Sequence, residues 1–438
     1  MANSIFLVTS VAVTSVLALL PAHASRLTLD TALQTVISEN PDLKASRADV
    51  EVARGRLLQA GLWPNPRLEL MHQTDKPFRN EGDYSRSAGL RQDFPIGGRI
   101  GRQKDVARVD VALALAELND AERKLIGEVE GAYYGLSSID REIALVDRLT
   151  TSVAGLVTAI EARHRLGEAS TLDANTVSLE RQRLEQQRTL LETERSTKLS
   201  ELAAALGLAS SENLVIEAAP PSPKQPAALA SLEDFALEHR PDLQQLELSV
   251  DRAKAERALA SAAAWEDWSI GVGVQENRTV LEQVPAQPRD SALLLSLSVP
   301  LPIFDRNQGT RAAARASELA ARDRLNGLAL RIRNEVAARH PDTVRLAQTA
   351  QSLQEQALPL SVRNLEQARD AYRQGQINIG DVIQIERQAF DINMSYEETL
   401  TRYFNAFAAL ETAIFSRVDL ATHFATPAIS KHGSARGH

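Results

Sequence analysis

Few residues in this chain are placed to do chemistry. The eight histidines stand at 23, 72, 164, 239, 340, 423, 432 and 438, with neither a zinc-ligand spacing nor a recognisable triad. There is no cysteine, which removes thiolate nucleophiles, thiolate metal sites, disulfides and an acylated lipoprotein cysteine. Met71 and Met394 are too sparse for a copper-handling surface. What does recur is a charged turn: Arg165, Gly167 and Asp173 return at the same intervals as Arg373, Gly375 and Asp381. Glycine there supplies a left-handed helix C-cap, and the polar residues after it start a second helix. Neither turn contains a nucleophile with its base, so the reading is of a protein that is not an enzyme and needs no cofactor or resident metal.

Those turns sit inside a tandem repeat. Asn40-Pro41-Asp42-Leu43 returns as Arg240-Pro241-Asp242-Leu243, Asp93-Phe94-Pro95-Ile96 as Ser298-Val299-Pro300-Leu301, and Glu128-Val129 as Glu335-Val336. The offset grows from 200 to 208 along the chain, mostly between residues 243 and 300, where the second copy carries a longer loop. The expected organisation is a first repeat over 25–217, a proline-rich linker over 218–228 and a second repeat over 229–416. A disordered tail is expected over 417–438, its histidines included. Residues 1–24 read as a signal peptide, with an apolar run from Ile5 to Leu20 and a small-residue cleavage pattern at Ala22 and Ala24, although no basic residue precedes the run.

Each copy repeats the order helix, two strands, very long helix, tight turn, second long helix. In the first long helix apolar residues fall at Val129, Ala132, Leu136, Ile139, Ile143, Val146, Leu149, Val153, Leu156 and Ile160, close to the coiled-coil period. The last helix does the same at Val382, Ile385, Ala389, Ile392, Tyr396, Thr399, Tyr403, Ala406, Leu410 and Ala413. Helical hairpins are expected over about 99–207 and 307–416. Pro341 is expected to kink the second copy's first long helix, because it lacks a backbone donor. His340-Pro341-Asp342 spells the chaperone J-domain tripeptide, but its place in a coiled-coil pattern makes that a coincidence.

Strands are expected at about 66–75, 86–96, 268–276 and 291–301. Leu68 and Leu70, then Ala88, Leu90 and Phe94, then Ile270, Val272 and Val274, then Leu293, Leu295, Leu297 and Val299 alternate with polar or small residues. This is the weak signature of transmembrane β-strands, against which stands a reading as surface hairpins of a soluble domain. Four strands cannot close a barrel in lipid, so the membrane reading demands several copies of the chain. The net charge of −8 argues against nucleic acid as a partner. Aromatic residues are few for a set of compact cores, which suits long helices better.

Three local motifs then point to a family. They are Pro64-Asn65-Pro66, Gln92-Asp93-Phe94-Pro95-Ile96-Gly97-Gly98-Arg99, and Pro300-Leu301-Pro302-Ile303-Phe304-Asp305-Arg306-Asn307-Gln308-Gly309. With the duplication, the strand pairs and the heptads, they make the chain from Leu27 to about Phe415 resemble the TolC family of outer-membrane efflux channels, in its CzcC-like heavy-metal branch. That resemblance implies a mainly α fold with a small β part: a homotrimer with a twelve-stranded transmembrane β-barrel and a trimeric α-barrel of antiparallel helices crossing the periplasm. It implies passive export, with an inner-membrane RND pump, a periplasmic adaptor and outer-membrane lipid as partners. It places Arg165, Gly167, Arg373 and Gly375 at a periplasmic tip where the adaptor docks. It makes Asp381, with Asp173 in the first copy, a gate candidate, and Gln384 stands where a second acidic residue is expected. Heavy-metal cations such as cobalt, zinc or cadmium are the implied cargo. A drug, solvent or type I secretion duct is the alternative within the class, and a soluble coiled-coil adaptor the alternative outside it.

Overall fold

A computed structural model of the chain describes residues 26–78, 82–167, 169–211, 214–217, 222–280 and 289–415. The expected signal peptide and C-terminal tail lie outside the described residues. The first copy runs α1 (Leu29–Glu39), α2 (Pro41–Ala60), β1 (Arg67–Thr74), β2 (Tyr84–Phe94), α3 (Arg99–Arg165) and α4 (Thr171–Ala205). The second runs α5 (Leu229–His239), α6 (Pro241–Ala262), β3 (Trp268–Arg278), β4 (Arg289–Ser298), α7 (Gln308–Ser352), α8 (Leu358–Arg373) and α9 (Ile379–Ile414).

The repeated Pro-Asp-Leu marks a helix break that is clamped to the end of its own copy. Asn40 caps α2 by accepting from the amides of Asp42 and Leu43, and its Nδ2 donates to the Ala205 carbonyl at the end of α4 (2.9 Å). In the second copy the buried Arg240 donates to the Ala413 carbonyl at the end of α9 (2.7 Å) and pairs with Asp242 and Glu335. Each copy thereby closes on itself through carbonyls a helix end leaves unsatisfied.

The long helices pack through the predicted seams. Val129, Leu136, Ile139, Val146, Val153 and Ile160 are buried on α3, and Val382, Ala389, Tyr403, Leu410 and Ala413 on α9. The scarce aromatics concentrate near mid-length, where Tyr133, Tyr134, Tyr403 and Phe404 join one cluster and Tyr134 stacks on Phe404 (4.7 Å). Two of these tyrosines also tie down loop backbone. The Tyr133 hydroxyl reaches the carbonyls of Leu27 and Glu217, and the Tyr403 hydroxyl both accepts from and donates to the Lys224 backbone. By length and composition alone one apolar stretch of α3 could cross a membrane, and 28% of it is buried.

Pro341, where a kink is expected, stands inside α7, which runs unbroken from Gln308 to Ser352 and is followed by a π-helical turn at Leu353–Ala357. A single missing donor is tolerated because the helix is held on both sides, by Ile332 and Val336 in one cluster and Ala347 and Ala350 in another. His340 is equally structural: its Nε2 lies 2.8 Å from the Ala227 carbonyl.

The strands form one antiparallel sheet in the order β1-β2-β3-β4, so β2 pairs with β3 across the repeat. The register aligns Leu68, Leu90, Val272 and Leu295 in one row and Leu70, Ala88, Val274 and Leu293 in the next, on one face. The other face carries Arg91, Glu69, Asp93, Gln275 and the glycines 89, 271 and 273. A Cβ on Gly273 would lie 2.8 Å from the Ala88 carbonyl oxygen, so only glycine permits this close strand approach.

Candidate functional site

At the end of the helices away from the sheet, two turns face each other. In the first, α3 ends at Arg165 and Gly167 takes φ +79. In the second, α8 ends at Arg373 and Gly375 takes φ +72, while the Gln376 amide donates back to the Ala371 carbonyl (2.9 Å), closing a Schellman motif. Nothing lies within contact of a Cβ at either glycine, so its role is purely the left-handed backbone. Gly375→Ala should cost about 1–2 kcal/mol locally. Hydrogen exchange at Gln376 should rise about fivefold or more, and unchanged protection would show that the turn is not strained.

The two aspartates are matched helix starters. Ser170 caps α4 and the Asp173 carboxylate accepts from the Ser170 amide (3.1 Å); Asn378 caps α9 and Asp381 accepts from the Asn378 amide (3.2 Å). Both are capping boxes, and both put negative charge at the positive end of a helix. Asp381 and Gln384 are exposed on the same side of α9, opposite the buried Val382, Ile383 and Glu386. Arg165 and Arg373 are also exposed; Arg373 pairs with Asp370 (3.1 Å).

The turns are joined to each other. Arg163 donates to the Tyr372 hydroxyl (2.9 Å), its guanidinium lying 5.9 Å from that ring's centre. Val157 and Ile160 of α3, Val177 of α4, and Ile379, Val382 and Ile383 of α9 form one apolar cluster beneath them.

Two buried carboxylates behind this cluster were not singled out from the sequence. Glu180 on α4 is bound by Arg183 of its own helix (2.8 Å) and by Arg387 of α9. Burial alone would favour its protonated form, but the hydrogen bonds from Arg183 and Arg387 outweigh it and hold the carboxyl below the usual range. Glu386 on α9 accepts from Arg369 of α8 (2.7 Å) and Ser152 of α3 (2.8 Å). The sequence did carry a signal: Glu180 lies between Val177 and Leu184, and Glu386 between Ile383 and Phe390, each in phase with a buried stripe. Within the polar run from Gln182 to Arg188, Leu184 is buried and Arg188 pairs with Asp147 (2.7 Å).

Among the described residues no group of three or more His, Asp and Glu is placed to hold an ion. What the site offers is a pair of exposed, charged turns on a framework cross-linked by ion pairs. The model of the outer membrane efflux protein family matches residues 32–208 and 232–414, one match per structural copy. The chain belongs to that family.

It is therefore an outer-membrane efflux channel, a passive conduit whose long helices extend into the periplasm of a Gram-negative bacterium. Among characterised relatives, the channel is 23% identical to the cobalt-zinc-cadmium resistance protein CzcC of Cupriavidus metallidurans, over 91% of this chain and 92% of that one. It is 26% identical to the pyoverdine export outer membrane protein OpmQ of Pseudomonas aeruginosa, over 78% of this chain and 74% of that one. Its fold matches crystal structures of CusC (TM-score 0.70, 16% identity, 88% and 91% covered) and of a membrane protein from Pseudomonas aeruginosa (TM-score 0.70, 19% identity, 88% and 92% covered). The apolar face of the channel's sheet is then the one that meets lipid.

Proposed function

We propose that this channel is the exit duct of a tripartite RND-type system that removes heavy-metal cations, working as a homotrimer. The observation that carries the cargo is the similarity to CzcC along nearly the full length of both chains. The trimer is supported by the sheet: β1 and β4 each leave one edge unpaired, and an open edge is not tolerated in lipid. Three copies give twelve strands. The periplasmic adaptor would dock on the turns carrying Arg165, Gly167, Arg373 and Gly375, and the pump would deliver cargo through it.

The similarity to a pyoverdine exporter favours a second reading, an organic cargo. A deletion strain separates the two: it should lose tolerance to cobalt, zinc or cadmium and keep its tolerance to drugs and chelators. Sensitivity to drugs with unchanged metal tolerance would overturn the metal assignment.

Asp381 is the entrance residue of this proposal, with Gln384 one turn further on and Asp173 as its counterpart on α4. Three Asp381 carboxylates around one axis would concentrate cations at the mouth. Asp381→Asn keeps an oxygen for the cap and removes only charge. It should lower cation-over-anion permeability in planar bilayers by a factor of about two or more. Unchanged selectivity would leave Asp381 a helix starter and nothing else.

A further inference from the structure

The lipid-facing side of the sheet does not stay apolar to its outer end. Beyond the Leu70–Ala88–Val274–Leu293 row comes His72–Arg86–Glu276–Ser291, and then Thr74–Tyr84–Arg278–Arg289. Three arginines therefore stand on the same face as the leucines and valines, at the end away from the helices. Ten residues of β2 separate Phe94, which pairs with Trp268, from Tyr84, which pairs with Arg278. At about 3.3 Å per residue and a tilt near 40° that is roughly 25 Å along the membrane normal, the height of the apolar band of such barrels. Phe94 and Trp268 then mark the periplasmic interface, and Tyr84 with its arginines the outer-leaflet interface.

The arginines are not used up by neighbouring carboxylates. Arg86 lies 4.5 Å and Arg278 5.6 Å from the centre of the Tyr84 ring, so one tyrosine carries two guanidinium groups. Glu276 takes the Tyr84 hydroxyl (3.3 Å) and stands 3.9 Å from Arg289. Neither Arg86 nor Arg278 has an ion pair among the described residues, and the buried Arg278 Nε has no hydrogen-bond partner. His72 closes one side of the recess, 6.2 Å from Tyr84. Its volume is about 340 Å³. Two cationic forks held on an aromatic ring, with a donor left over and an apolar surface directly below, suit a phosphate that carries acyl chains. Ordinary headgroup zwitterions offer no comparable excess of negative charge.

We propose that Arg86 and Arg278, stacked on Tyr84, bind a phosphate of the phosphorylated glycolipid of the outer leaflet, whose acyl chains lie on the leucine and valine rows beneath. The site rests on the outer-membrane location and on the sheet register, and it is independent of the cargo. Arg278 and Arg86 come from the two central strands, so each copy of the chain carries a complete site.

The test uses the full channel purified in detergent and lipid A as the probe, followed by native mass spectrometry. Bis-phosphorylated lipid A should bind, and lipid A stripped of its phosphates should bind about tenfold more weakly. The double variant R86A/R278A should lose the same factor, while R67A/R91A, an equal charge change on the other face of the sheet, should bind as the parent does. Heat-modifiable migration in gels confirms that each variant keeps its barrel. Millimolar inorganic phosphate should leave lipid A bound, because the acyl contacts remain. Equal binding of the two lipids by the parent channel, or full binding by a correctly assembled R86A/R278A, overturns the proposal. Complete displacement by inorganic phosphate overturns the lipid and leaves a free-anion site.

Discussion

Glu130→Gln should stabilise this channel at pH 8 relative to its effect at pH 4.5. Glu130 is buried mid-way along α3, beside the buried Val129, Tyr133 and Tyr134, and desolvation pushes its carboxyl up from 4.5 to about 7. A folded-state value above the unfolded one means that the folded chain holds the proton more tightly. Stability is then greatest below the unfolded value, falls as pH rises from 4.5 towards about 7, and is level above it. The full difference corresponds to a ceiling of about 3 kcal/mol at pH 8. Glutamine has its own cost of burial, about 1–3 kcal/mol, but that cost is the same at both pH values. The readout is therefore the change in the variant's effect between pH 4.5 and 8, taken from denaturant midpoints of the channel in detergent. An effect that does not vary with pH would show that Glu130 is solvated in the assembled protein.

Arg369→Ala should loosen the end of the helices that carries the two turns. Glu386 is 4% exposed; one oxygen rests on Arg369 and Ser152, and the other is buried without a partner. Removing the arginine strands this carboxylate, for which losses of about 3–5 kcal/mol are typical of buried pairs. Arg369 is itself 39% exposed, so water will recover part of that, and the lower end or less is expected. The consequence is local, because the bonds to Glu386 join α9 to α8 and α3 just behind the turns. Cells carrying the variant should admit large antibiotics, and the purified channel should show raised conductance. Adding Glu386→Gln removes the stranded charge and should bring both readouts most of the way back to the parent's. A single variant that matches the parent in both assays would show that this pair does not stiffen that end.

The two aspartates at the turns illustrate why part of the site was readable early. Capping boxes, glycine C-caps and heptad seams depend on residues three to seven positions apart, and such contacts form wherever the local pattern allows. The duplication, the helix ends near Arg165 and Arg373, the alternation of Leu68 to Leu70 and Leu293 to Leu297, and the family itself all follow from such patterns. Pro341 shows the complementary case: its missing donor is legible locally, but burial of the turns on either side, which holds the helix together, belongs to the packed molecule.

What the sequence by itself determined is the repertoire: two copies, long seamed helices, strands with one apolar face, and a chain without catalytic groups. The tertiary structure alone decided which charges are buried and what they meet. Arg369 and Ser152 are 217 residues apart, Arg387 and Glu180 are 207 apart, and Tyr84 lies 192 from Glu276. No periodicity encodes such distances. They are set by the crossing of hairpins from different copies and by strand register, where a shift of one residue would turn every arginine of the outer rim to the opposite face.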